Sequence, residues 1–250
     1  MKNIGKSISE SMARISNTAQ LIISSMEPFR QLLETIRKFL SNIQFSDITK
    51  EEIDNWKTNY ELWGELGWTV LPNGPFNLYK SIPEDENSAH KLAMSYCDNE
   101  SMEYIFSGLS EKKIKKRDLE SAIFCYNNKQ YKACALLLFG VIDSKLIKAQ
   151  PKKPGRKVGQ VVAKALRKSI EDNSGEEKLL FVALYQIILL QCLDTYFAYG
   201  GNFLKEPKVI NRNYIDHGMN IRNVRKRDCV QLFLRFQDFM YYSINLCYIS

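Results

Sequence analysis

Histidine is nearly absent from this chain: His90 and His217 are the only two in 250 residues. A zinc site built on imidazole would have to gather its other ligands from far apart, and neither a C-x-x-C pair nor any other ligand spacing supplies a start. No metal and no cofactor is therefore expected. Cysteine is also sparse. The six at positions 97, 125, 134, 192, 229 and 247 sit mostly in apolar stretches, far below the density of a disulfide-stapled domain. They read as reduced core thiols of a cytoplasmic protein. Long apolar runs are missing too. The longest without a charge, Leu179 to Leu193, contains Tyr185, Gln186 and Gln191 and falls short of the roughly 20 residues a spanning helix needs. It is expected as a buried helix, with no membrane as partner. The opening MKNIGKSISE has no apolar core of signal-peptide length, so export is not expected. Strand alternation and internal repeats are absent. No glycine-rich phosphate loop follows a strand, since PKKPGRKVGQ offers only Gly155 and Gly159.

What is present is an ordinary globular composition, 45% apolar and 25% charged, with a net charge of +7 that is unevenly placed. Lysine plus arginine and aspartate plus glutamate balance at 19 each over residues 1–150, against 16 and 9 over residues 151–250. A localised basic surface attracts polyanions through their phosphates. The run Lys112–Arg117 (KKIKKR) is a second basic feature and is read as a solvated helix start.

Apolar residues recur at helical spacing almost throughout, so the fold class is expected to be all-α. Residues 7–44 carry such a pattern with a break at Pro28. A helix is expected across Glu51–Trp63, capped by Asp47 or Thr49. Gly64 to Pro75 (GELGWTVLPNGP) must be irregular, and Ala89–Ser107 is helical again. Five helical blocks come after it: Asp118–Asn127; Gln130–Ala149, with a stripe at Tyr131, Ala135, Leu138, Ile142, Leu146 and Ala149; Val161–Ile170; a helix from about Glu176 to Tyr199; and a last one from about Val224 to Tyr248. Between the last two lies a polar connection, Asn202 to Gly218. The stripe of the last helix runs through Cys229, Phe233, Phe236, Met240, Ile244 and Cys247, with Gln231, Arg235, Asp238 and Asn245 on the opposite face.

That polar connection holds Asn211-Arg212-Asn213-Tyr214-Ile215-Asp216-His217-Gly218, with four residues between arginine and histidine. It follows a buried helix and precedes a basic stretch, Arg222, Arg225, Lys226 and Arg227, and the long final helix. The arrangement resembles the HEPN superfamily, the higher-eukaryote and prokaryote nucleotide-binding domains. Its pattern is Arg, a polar residue, three to five others and His, set before the last long helix of an all-α bundle. Arg212, Asn213 and His217 fill those places, and Leu119 to Ile147 resembles the family's first helical hairpin. Asp216 stands where members often carry an apolar residue.

The resemblance implies a HEPN-like helical bundle over about residues 111–250, preceded by a mainly helical region, 1–110, to which it assigns no role. It implies metal-independent RNA cleavage by 2′-hydroxyl attack, giving 2′,3′-cyclic phosphate and 5′-hydroxyl ends. His217 would move the proton. Arg212 would stabilise the phosphorane. Asn213 would hold the phosphate or the imidazole, and Arg222, Arg225, Lys226 and Arg227 would bind RNA. One imidazole does not readily serve as base and acid at once, so a homodimer that brings two motifs together is implied. Such members are commonly toxins or phage-defence proteins, which implies an antitoxin or regulatory partner. The alternative is a non-catalytic module of the same fold that binds RNA, a nucleotide or a protein. Read locally, the motif also has a plainer account: Arg212 pairs with Asp216 four residues on, and His217 ends a helix with Gly218 as its cap.

Overall fold

A computed structural model of the chain describes residues 49–111, 115–148, 150, 156, 161, 164, 180–200 and 203–246. The helical pattern of residues 7–44, the loop at 151–159 apart from Arg156, and most of the block at 161–170 lie outside the described residues. The chain divides into two units, Met1–Thr49 and Lys50–Ser250. Among the described residues the second unit is all-α: α1 (Lys50–Glu65), α2 (Glu86–Ser95), α3 (Asn99–Glu111), α4 (Lys116–Asn127), α5 (Tyr131–Lys148), α6 (Leu180–Tyr196), α7 (Arg212–Asp216) and α8 (Lys226–Leu246), with a 3₁₀ turn at Phe76–Lys80 and no strand.

Helix α1 starts with Glu51 and Glu52 in its first turn, where the helix dipole favours negative charge. It buries Trp56, Tyr60 and Trp63 along one face. Gly64 faces α6 so closely that a Cβ there would lie 2.6 Å from the Gln191 Cβ, so the absent side chain sets the helix separation. The helix ends in a Schellman turn. Gly67 takes φ +79°, Trp68 N–H reaches back to the Trp63 carbonyl (3.0 Å) and Gly67 N–H to that of Gly64 (2.9 Å). The irregular segment beyond it folds back onto α1. Trp63 Nε1 donates to the Ser81 carbonyl (2.9 Å), and the Tyr79 hydroxyl accepts from Leu71 N–H (2.6 Å). Asp85 caps α2 by accepting from Ser88 N–H. Trp68 Nε1 donates to His90 Nδ1 at 2.9 Å in the core. The single helix expected across Ala89–Ser107 is broken after Ser95 into α2 and α3. Asp98 restarts it by accepting from Ser101 N–H at 2.8 Å, an N-cap contact.

The core draws on helices from both sides of residue 111. Phe106 (α3), Tyr126 (α4) and Phe233 (α8) meet edge-to-face with centroids 4.8 to 5.6 Å apart. Each such pair adds about 1 kcal/mol to the burial itself. Helix α5 packs between α4 and α8 and also touches α7. It buries Ala135, Leu138, Ile142 and Leu146, and in addition Cys134, Phe139 and Val141, so it is covered on more than the one stripe read from sequence. In α8, among the described side chains, the face opposite the apolar stripe is covered as well: Gln231, Arg235 and Asp238 are buried, while the side chains of Met240, Ile244, Asn245 and Cys247 lie outside the description. Tyr185 of α6 donates to Asp238 at 2.6 Å, and Gln231 donates to the Leu66 carbonyl. Cys97, Cys134, Cys192 and Cys229 are buried free thiols. Among the described residues no helix is long and apolar enough to cross a membrane.

Candidate functional site

The polar connection after α6 is not a featureless loop. It contains α7, five residues that would not hold a helix alone and are fixed by side chains at the start and by a backbone turn at the end. Asn211, buried, is the N-cap. Its Oδ1 accepts from the N–H groups of Asn213 (2.9 Å) and Tyr214 (3.3 Å), and its Nδ2 donates to the carbonyls of Thr195 (3.3 Å) and Ala198 (3.0 Å) at the end of α6. Asn213 Nδ2 donates to the same Ala198 carbonyl at 3.0 Å. The Tyr214 hydroxyl lies 2.6 Å from the Lys205 carbonyl. At the other end His217 is the C-cap. Gly218 takes φ +68°, with Met219 N–H on the Tyr214 carbonyl (2.8 Å) and Gly218 N–H on that of Ile215 (3.2 Å), a second Schellman turn.

Arg212 opens α7 and His217 closes it. Five residues along a helix separate them by about 7.5 Å in rise and about 140° in direction, and no hydrogen bond joins their side chains. Arg212 turns toward α5. Its Nε donates to Asp143 Oδ2 at 3.1 Å and lies 2.9 Å from Asp216 Oδ2. Nη1 is 3.4 Å from Asn213 Oδ1, and Nη2 carries no hydrogen bond among the described residues. The side chain is 28% exposed. The Arg212–Asp216 pair and the Gly218 cap are those of the local reading. His217 is exposed, its ring edge-on to Phe203 with centroids 5.5 Å apart.

Two carboxylates against one guanidinium leave an excess negative charge when both are ionised. Burial raises Asp143 above the ordinary carboxylate range; Arg212 pulls it down and Asp216 pushes it up. One oxygen of Asp143, Oδ1, is buried without a hydrogen-bond partner among the described residues.

The basic stretch is largely committed to the fold. Arg222 grips the fully buried Asp228 with both arms (2.8 and 3.0 Å), and its Nε is 3.9 Å from Glu206. Asp228 also accepts from Arg225 N–H at 2.8 Å, the returning half of a capping box at the start of α8. Lys226 lies over the Tyr126 ring at 5.8 Å. Arg227 is half-buried, and its Nε has no partner among the described residues. Arg225 is exposed. An open groove of about 580 Å³ runs between the turn into α5 and its first residues (Lys129, Gln130, Lys132) and the segment after the motif (Asn220, Arg222, Asn223). Lys129 and Lys132 are exposed, and they are basic residues at this groove that sequence reading did not single out.

Asp143 and Asp228 were missed in the same way. Asp143 is the only charged residue between Lys132 and Lys145, a carboxylate interrupting an apolar helix, and that interruption is the signal that would have marked it. Asp228 stands at the third position after Arg225, where a capping box places an acid. Among the described residues no group of three or more His, Cys, Asp or Glu side chains is placed to hold a metal ion.

Comparisons with known proteins add no relative: no family model, no curated protein and no solved structure matches this chain.

Proposed function

We propose that this chain is a metal-independent endoribonuclease of HEPN type, acting through Arg212, Asn213 and His217, in a toxin or phage-defence role with an antitoxin or regulatory protein as partner. What supports this reading is the presentation of Arg212. Its inner nitrogen is held by carboxylates, while its outer Nη2 carries no hydrogen bond among the described residues on a side chain open to solvent. An arginine so held offers its outer edge to a phosphate. His217, exposed at the end of the same capped helix, has no hydrogen bond among the described residues that occupies its ring, so both ring nitrogens stay available for proton transfer. Because the two side chains leave α7 in different directions, the reading calls for a second copy to bring a histidine to each arginine. Exposed Tyr199, Leu204, Met219 and Ile221 flank the motif in sequence, and they supply apolar surface for that copy.

A second reading rests on a different observation. The Arg212–Asp216 pair and the Gly218 cap together account for the local sequence without any catalysis. On that reading the chain is a binding module for RNA, a nucleotide or a protein.

The test incubates the purified full chain with RNA in excess chelator, alongside His217→Ala. The nuclease reading expects cleavage to 2′,3′-cyclic phosphate ends and a loss of at least about 10² in rate in the variant. Equal cleavage by both proteins, or none by the wild type across several RNAs, overturns it. RNA retention that falls steeply with salt, without cleavage, establishes the binding module instead.

A further inference from the structure

We infer that Asp143 is a positioning residue of this site. From helix α5 it holds the inner nitrogen of the Arg212 guanidinium, so that the outer edge faces the scissile phosphate. The inference rests on the nuclease reading and deepens it, by adding a residue that lies 69 positions upstream of the arginine, outside the Arg212–His217 motif and within the hairpin of residues 119–147.

The geometry gives the reason. A guanidinium on a four-atom stem has many rotamers, and an unheld one must be ordered each time a phosphate binds. A carboxylate that accepts from Nε fixes the plane of the fork and leaves the outer nitrogens free to grip an anion. Asp216 lies on the same nitrogen at 2.9 Å, but it rides on α7 with Arg212 and moves with it. Asp143 sits on the long, buried α5, at 3.1 Å, and its side chain is only 15% exposed. It is therefore the contact that ties the arginine to the rigid body of the bundle. Its second oxygen is buried with no partner among the described residues. Such an unpaired oxygen costs stability, and the arrangement places that cost at the base of the functional arginine. The charged groups acting on Asp143 are Arg212 and Asp216, both from α7.

The experiment measures kcat and KM on one RNA oligonucleotide for wild type, Asp143→Ala and Asp143→Asn, each also in an Arg212→Lys background, with circular dichroism to check the fold. Asparagine keeps an acceptor for Nε and removes the charge. The expected result is a loss of about tenfold or more in kcat for Asp143→Ala with KM nearly unchanged. Asp143→Asn should recover kcat to within about threefold, because its amide oxygen still accepts from Nε. In the Arg212→Lys background, Asp143→Ala should cost less than about twofold, because its effect passes through the guanidinium. An active wild type whose folded Asp143→Ala variant cleaves equally well overturns this inference alone. So does an equal loss in both backgrounds. If Asp143→Ala does not fold, Asp143→Leu, which fills the space but offers Nε no acceptor, decides: a folded Asp143→Leu protein that cleaves as well as wild type overturns the inference. A wild type that cleaves no RNA removes the nuclease reading and this inference with it.

Discussion

His90 offers a test of the core that can be worked through in numbers. Its ring is buried beside Trp68, and its Nδ1 accepts the indole N–H at 2.9 Å. Only an imidazole that is unprotonated at that nitrogen can do so. Burial, and then the charge of Arg227, push its pKa from 6.5 down to about 4. The sign comes from linkage. A group whose folded value is depressed binds its proton more readily once unfolded, so it contributes stability above about 6.5 that is lost as the pH falls toward 4. That interval corresponds to about 3 kcal/mol, and solvent screening near the surface reduces the realised figure to about 2 kcal/mol. The perturbation is His90→Asn, which keeps an acceptor near Nδ1 and cannot take up a proton. The assay is urea unfolding followed by tryptophan fluorescence. All three tryptophans, Trp56, Trp63 and Trp68, lie in or just after α1, and Trp68 is the partner of His90 itself. Between pH 7 and pH 4 the wild type should lose about 2 kcal/mol relative to the variant. A difference between the two proteins that stays constant across this range, within about 0.5 kcal/mol, refutes the buried neutral imidazole.

Two further outcomes come from buried charge. Burial raises Asp238 from 3.8 to about 6, so its folded form holds a proton more tightly than the unfolded chain does. The wild type should therefore gain about 2 kcal/mol relative to Asp238→Asn as the pH falls from 7 to 4, the opposite slope to His90, measured by the same urea titration. Asp228→Ala strands the half-buried Arg222 guanidinium and uncaps α8, and should cost about 3 to 5 kcal/mol by denaturant unfolding. Arg225→Ala, at an exposed side chain, should stay within about 0.5 kcal/mol; similar losses in both variants would show that the Arg222–Asp228 grip is not what stabilises this corner.

The sequence by itself determined what depends on near neighbours along the chain. The 3.6-residue repeat marked α1, α4, α5, α6 and α8, the stretch from Gly64 to Pro75 marked an irregular connection, and Gly218 marked a helix cap. The spacing of Arg212 and Asp216 made them an ion-pair candidate from the chain alone. The short helix that carries them was legible only through that pair and the Gly218 cap, because five residues offer no periodicity. What holds it is Asn211 reaching the carbonyls of Thr195 and Ala198, and local pattern does not report such contacts. Tertiary structure alone decided that Arg212 turns to Asp143, that Arg222 is spent on Asp228 and Glu206, and that the polar face of α8 is covered, with Arg235 and Asp238 inside. The reason is range. Propensity and capping act over three or four residues, whereas the partner of a charge is whatever the packing of the other helices brings within about 3 Å, and a long-range partner leaves no mark in the spacing of its neighbours.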